Sequence, residues 1–304
     1  MSGNAIEVVG LVKHFGSVKA VDGLNLTVGT GQVTGFLGPN GAGKTTTIRV
    51  LLGLLKADAG QASLLGGNPW TDAVALHKRL VYVPGDVALW PNLTGGQIID
   101  VLAKLSGGIE PARKSEMLQR FELDPTKKAR TYSKGNRQKV ALVAALASRV
   151  ELLVLDEPTS GLDPLMEGQF QACIKQVKAE GRSVLLSSHI FAEVESLADT
   201  ICIIREGHTV EQGTLASMRH LSTTKVRAEL DGGEDQLTGF PGVHDIEHDG
   251  RFLSFSVDHD ALPQVLNLLA GLRPHSVTAN PPSLEEIFLS HYHTDLAKSQ
   301  GAKK

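Results

Sequence analysis

"VTGFLGPNGAGKTTTIRVLLGLL", residues 33–55, decides the reading of the chain. Val33 to Gly38 is a short apolar run of strand type, the next residues are rich in glycine, and Thr45 to Leu55 has apolar residues at helical spacing. A strand that passes through a glycine loop into a helix leaves the first N–H groups of that helix unpaired and aimed at the loop, which is where an anion binds. "GPNGAGKTT" (Gly38, Pro39, Asn40, Gly41, Ala42, Gly43, Lys44, Thr45, Thr46) fits G-x-x-x-x-G-K-S/T. An accidental match in a chain of this length is on the order of 1%. In that pattern Gly38, Gly41 and Gly43 let backbone amides curl round a β-phosphate, Lys44 brings a point charge to the β- and γ-phosphates, and the Thr45 hydroxyl is a ligand for Mg²⁺. The competing reading is a glycine turn that binds nothing.

Two later stretches weigh against that alternative. "LLVLDEP", Leu152 to Pro158, is an apolar run ending in two acids. It places carboxylates at the carboxyl end of a buried strand, the edge at which open α/β sheets bind nucleotides. Asp156 is the candidate Mg²⁺ ligand and Glu157 the candidate that polarises the water attacking a γ-phosphate. "LLSSH" ends another apolar strand and offers His189 at the same edge, within reach of a γ-phosphate or of Glu157. By itself such a histidine is more often an ordinary surface residue.

Outward from these motifs, the 304 residues suffice for about two domains at roughly 100 to 200 residues each. With 41% hydrophobic and 21% charged residues and a net charge of -3, the composition is that of a globular protein and speaks against binding nucleic acid by bulk charge. Cys173 and Cys202 stand alone in apolar surroundings and read as small core residues. No stretch approaches the roughly 18 apolar residues of a membrane span, and Met1 to Gly10 lacks the build of a signal peptide.

Ile6 to Val9 and Leu24 to Val28 read as strands, with a turn at Gly29 to Gln32. Between Gly85 and Val150 helical patterns take over, at Gly95 to Leu105, Ala112 to Phe121 and Asn136 to Ser148. Strands return at Glu151 to Asp156, Ser183 to Ser188 and Thr200 to Gly207, separated by a helix at Pro164 to Glu180, so a parallel α/β sheet is expected. From Leu221 to Thr224 the chain turns polar. "KVRAEL", "HDIEHD" and "RFLSFSV" then alternate like half-buried antiparallel strands, and helices at Asp260 to Gly271 and Ser283 to Tyr292 follow. Ser283 and Glu286 have capping-box spacing, and "AKSQGAKK" reads as a loose tail.

"GPNGAGKTT", "YSKGNRQK", "LLVLDEPTSGLDP" and "LLSSH", in this order, resemble the ATP-binding subunits of ABC transporters over roughly residues 4–220. The resemblance implies a P-loop NTPase (RecA-like) parallel sheet with an antiparallel N-terminal β subdomain and a helical insert at about 85–150. That ATPase domain spans 1–222, and a small C-terminal α+β domain spans 223–304. It implies ATP and Mg²⁺ as cofactors, with Glu157, His189 and Lys44 as the catalytic groups. It also implies that Ser133 and Gly135 form a signature loop reaching the γ-phosphate bound to a second copy, that Asp163 belongs to an intersubunit loop, and that Phe15 stacks on adenine. The bland reading of Phe15 is a core residue.

The implied partners are an integral membrane permease and a second copy of the chain, at the cytoplasmic face of the membrane, with no direct nucleic acid. "PPSLEEIFLSHY" resembles the C-terminal extension of drug and antibiotic exporter ATPases, which points to efflux. The rival readings are an importer ATPase, a soluble ABC-type ATPase acting on ribosomes or DNA, and a regulator that does not hydrolyse ATP.

The chain departs from the family in three places. Where a glutamine usually follows the strand-end proline of "LVYVPGDVALWP", this chain has Gly85; either Asp86 substitutes or the contact is lost and coupling relies on water and Glu157. Tyr132, Lys134 and Asn136 replace the usual leucine, glycine and glutamine of the signature, and Lys134 either attracts phosphate or faces solvent. Finally, "LTGG" at Leu93 to Gly96 and "LSGG" at Leu105 to Gly108 look more like the family signature than "YSKG" does. They lie too far upstream of the Asp-Glu strand and lack the following Arg-Gln. They read instead as the capping box (Thr94, Gln97) and the stop (Gly107, Gly108) of one helix.

Overall fold

The computed structural model describes residues 3–220 and 223–289. Contacts divide the chain into two units, Met1–Gln212 and Gly213–Lys304, so the short helix after Gly213 goes with the second unit. Leu221 and Ser222, where composition puts the boundary, lie outside the described residues, as do Tyr292 and the "AKSQGAKK" tail.

In chain order the first unit runs β1 (Asn4–Phe15), β2 (Val18–Gly29), β3 (Val33–Leu37), α1 (Lys44–Leu51), β4 (Ala59–Leu64), α2 (Ala73–Leu76), β5 (Leu80–Val83), α3 (Gly95–Leu105), α4 (Pro111–Arg120), α5 (Lys134–Ala147), β6 (Leu152–Asp156), α6 (Pro164–Ala179), β7 (Ser183–Ser188), α7 (Phe191–Leu197), β8 (Thr200–Arg205) and β9 (His208–Gly213). β1, β2 and β4 form an antiparallel sheet in the order β2-β1-β4. The main sheet has the order β5-β6-β7-β3-β8-β9, with its first five strands parallel. Every residue of β3, β6 and β7 is buried. Their near-continuous apolar runs are what a parallel sheet covered on both faces requires. Cys173 and Cys202 are both buried.

Three differences from the pattern reading have local causes. β1 runs to Phe15 rather than Val9 because a register shift between Val8 and Leu11, at a left-handed Gly10, breaks the alternation. The apolar pattern after the phosphate loop continues to Leu55, but the helix stops at Leu51, with Leu52 as its C-cap and Gly53 left-handed at φ 66°. β4 and β9 carry little β-branched content, and they are strands because β1 and β8 supply their partners.

The second unit runs α8 (Leu215–His220), β10 (Thr224–Glu229), β11 (Val243–Asp249), β12 (Phe252–Val257), α9 (Leu262–Leu272), β13 (Ser276–Asn280) and a helical segment at 284–289. The strands form an antiparallel sheet, β11-β12-β10-β13. Val226, Ala228, Leu253 and Phe255 form its core with Val265 and Leu269 of α9. The Ser283 and Glu286 capping box is present: the Glu286 amide donates to Ser283 Oγ (3.2 Å) and the Ser283 amide to Glu286 Oε2 (3.0 Å).

Candidate nucleotide site

The carboxyl ends of β3, β6 and β7 converge, and the loop after β3 becomes α1 at a left-handed Gly43. A Cβ on Gly43 would stand 2.6 Å from the Ala20 carbonyl oxygen, and its φ of 107° is one that side chains resist, so glycine is required there. Pro39, Asn40, Gly41, Gly43, Lys44, Thr45 and Thr46 line a cavity of about 150 Å³, which Ala20 and Glu157 complete. That is the room of a phosphate group at a helix N-terminus.

Lys44 is buried, and its Nζ donates to the carbonyl oxygens of Gly38 (2.6 Å) and Pro39 (3.2 Å). Burial lowers its pKa, against the pull of Glu157 and Asp156 towards the charged form. Asp156 is also buried; it accepts from Thr45 Oγ1 (3.0 Å) and from Ser187 Oγ (2.5 Å). Thr45 and Asp156 are hard oxygen donors at hydrogen-bond distance and fit Mg²⁺. Among the described residues no group of three His, Cys, Asp or Glu forms a metal cage.

Glu157 lies at the cavity wall in the left-handed region, φ 49°, a conformation that a non-glycine residue holds only when its surroundings impose it. Its amide donates to the Ser187 carbonyl oxygen (2.9 Å), and its Oε1 is 3.3 Å from His189 Nδ1. Gly85 packs against this turn: a Cβ there would be 3.1 Å from the Asp156 carbonyl oxygen and 3.4 Å from Glu157 Cβ. Asp86 is exposed.

The remaining candidates lie elsewhere. Phe15 ends β1, 48% exposed, with Lys13 Nζ 5.6 Å from its ring centroid, so it is not a core residue. Ser133 and Asp163 are helix N-caps, accepting from the amides of Asn136 (3.2 Å) and Met166 (3.0 Å). The signature loop meets the Ser160–Asp163 segment of its own chain: Lys134 Nζ donates to Ser160 Oγ (3.0 Å), and a Cβ on Gly135 would be 2.5 Å from the Gly161 carbonyl oxygen. None of Ser133, Gly135 and Asp163 lines the phosphate cavity.

Several contributors escaped the motif reading. Ser187 anchors Asp156, and the buried Gln138 donates from Nε2 to the Pro158 carbonyl oxygen (3.0 Å), tying α5 to the Asp-Glu turn. Arg137 Nη1 donates to the Tyr132 carbonyl oxygen (3.1 Å), so of the Arg-Gln pair the arginine holds the start of the "YSKGN" stretch and the glutamine ties its helix to the turn after β6. A polar Ser-Ser pair closing the apolar β7 was the available signal. The upstream glycines are structural: Thr94 and Gln97 form the capping box of α3, and Gly107 and Gly108 follow its end with φ of 82° and 102°.

The chain is similar in sequence and fold to known proteins. A family model described as ABC transporter matches residues 21–160, and one described as ATP-binding protein DrrA1-3-like, C-terminal domain, matches residues 213–292. The daunorubicin resistance ATP-binding protein DrrA3 of Streptomyces coeruleorubidus is 35% identical over 95% of this chain and 96% of its own length. The bacitracin transport ATP-binding protein BcrA of Bacillus licheniformis is 39% identical over 93% of this chain and 96% of its own. A solved ATP-binding subunit of an ABC transporter superposes with a TM-score of 0.67 at 29% identity, over 71% of this chain and 92% of that one.

Proposed function

The chain belongs to the ATP-binding subunits of ABC transporters, ATPases that use ATP and Mg²⁺, and from that membership we propose that it drives export of drugs or other lipophilic small molecules through a separate membrane permease. In this reading the backbone amides of residues 40–46 and Lys44 bind the β- and γ-phosphates, while Phe15 stacks on adenine. Thr45 and Asp156 hold Mg²⁺, which when bound neutralises charge on the phosphate oxygens. Glu157 polarises water for attack on the γ-phosphate, and His189 holds the Glu157 carboxylate in place. ATP and water become ADP and phosphate. Ser133, Gly135 and Asp163, away from the chain's own phosphate cavity, act on the site of a second copy, so that ATP closes the dimer and hydrolysis reopens it.

The observation that carries the permease reading is an apolar groove beside the nucleotide site. It encloses about 610 Å³ between Leu52, Val74, His77, Val87, Trp90 and Leu105, with Trp90 and Leu105 exposed. Gly85, between Pro84 and Val87 of its wall, connects it to the chemistry, because a Cβ there would stand 3.1 Å from the Asp156 carbonyl oxygen and 3.4 Å from Glu157 Cβ. The family's glutamine is missing, so coupling in this chain runs through that close approach. No helix among the described residues is long and apolar enough to cross a membrane. In this reading the subunit is peripheral and docks through the groove at the cytoplasmic face.

Export is favoured over import by the second unit and by relatives that are drug-resistance and Nod factor export ATP-binding proteins. The test is drug accumulation in cells that express the chain with the membrane protein encoded beside it. Less daunorubicin should accumulate than in cells carrying the E157Q chain; equal accumulation for this and other lipophilic drugs would count against export.

A further inference from the structure

The end of β7 makes three consecutive contacts with acids. Ser187 donates to Asp156, His189 faces Glu157 at 3.3 Å, and Ser188 Oγ, between them, donates to Glu193 Oε2 at 2.7 Å. The first two acids belong to the nucleotide site. Glu193 does not: it sits on α7, is only 6% exposed, and is not among the residues of the phosphate cavity.

A carboxyl group is not buried at such a place for packing alone, since an apolar residue of similar size would avoid the desolvation. Its oxygens are also incompletely satisfied. Oε1 is buried without a hydrogen-bond partner among the described residues, although the Thr159 hydroxyl, on the turn after Glu157, faces the group closely enough to favour its charged form. Burial is the stronger influence and raises the carboxyl's pKa. The Ser188 hydroxyl has both of its roles assigned. It donates to Glu193 and accepts from the Ile190 amide (3.0 Å), spanning the turn on which His189 stands. With that hydroxyl fixed from both sides, the backbone on either side of His189 is held, and the ring of an otherwise half-exposed histidine is directed at Glu157.

We propose that Glu193 is a positioning residue for ATP hydrolysis: through Ser188 it fixes the turn that holds His189 against Glu157, and so governs turnover without governing ATP affinity. The inference rests on the assignment of Glu157 as the base. Misplacement of a catalytic group by an ångström lowers rates by up to about 100-fold, and a loosened rather than deleted histidine should lie below that limit.

The test uses the full chain and measures kcat, the affinity for a fluorescent ATP analogue, and Tm. E193A and S188A should each lower kcat by roughly tenfold while nucleotide affinity stays within about twofold, and the double variant should fall no further than either alone. E193Q keeps an oxygen that accepts from Ser188, so it should retain most of the turnover. If E193A does not fold, S188A carries the comparison and E193Q is its conservative control. In an H189A background the residual turnover should no longer respond to S188A or E193A, which a merely structural role would not produce. An equal fall in both backgrounds, or affinity falling in step with kcat, would overturn the inference. E157Q separates the two layers: if it retains full turnover the base assignment fails and the inference with it, whereas lost turnover alongside effects independent of His189 sinks the inference alone.

Discussion

Replacing Gly95 with alanine probes how the signature loop is seated. A Cβ at Gly95 would stand 2.3 Å from Tyr132 Oη and 3.1 Å from two carbons of its ring. That ring is buried and its hydroxyl donates to the Asp124 carbonyl oxygen, so it has nowhere to yield without breaking the bond. Overpacking costs about 1–3 kcal/mol and the lost hydrogen bond about 1 kcal/mol. The better helix propensity of alanine returns up to about 1 kcal/mol, which leaves a net destabilisation of about 1–4 kcal/mol. In a Y132L background the ring and hydroxyl are gone, and the same alanine should be neutral or stabilise by up to about 1 kcal/mol. Urea unfolding of the two single variants and the double variant closes the cycle; the propensity gain cancels, so the expected coupling is the overpacking and hydrogen-bond cost, about 2–4 kcal/mol. Equal destabilisation in both backgrounds, or none in the wild type, would refute the argument that Tyr132 makes Gly95 obligatory.

Two further outcomes follow from the geometry. G135A should displace the Gly161–Asp163 loop of its own chain, since its Cβ would meet the Gly161 carbonyl oxygen at 2.5 Å; faster hydrogen exchange at residues 160–163 with turnover reduced at least about tenfold is the expected pair, and wild-type exchange would refute it. In the second unit, Asp231 raises the pKa of His275 by hydrogen bond and charge, and His275 lowers that of Asp231, across 2.8 Å. The His275 contribution to stability is therefore fully present below the unfolded pKa and lost as pH rises through the raised folded one, while that of Asp231 is lost only as pH falls through its lowered value. H275A should thus lower Tm slightly at about pH 5.5 and match the wild type at about pH 9; a difference that grows with pH would contradict the sign.

The parts of the fold that the sequence exposes are those where one physical requirement dominates. β3, β6 and β7 are buried on both faces and show it as unbroken apolar runs, and the Lys44 and Asp156–Glu157 motifs sit at their ends because nucleotide phosphates bind there. The α3 capping box is equally local, four residues that satisfy each other. What stayed illegible depends on partners that no local pattern names. β13 is exposed along its whole length and becomes a strand only through β10. Glu193 and Ser188 read as ordinary polar residues of a helix and a strand end, and only the fold brings them together beside His189. Gly85 reads as a lost glutamine; the structure adds that it lies close to the turn after β6, where a Cβ would be 3.1 Å from the Asp156 carbonyl oxygen.

The central claim is that Glu157, held by His189 at the end of β6 and β7, is the base for ATP hydrolysis. Its most direct test is E157Q, with nucleotide binding and ATP turnover measured on the same preparation. ATP affinity should be unchanged and turnover should fall by about 100-fold or more. Turnover equal to that of the wild type would contradict the account.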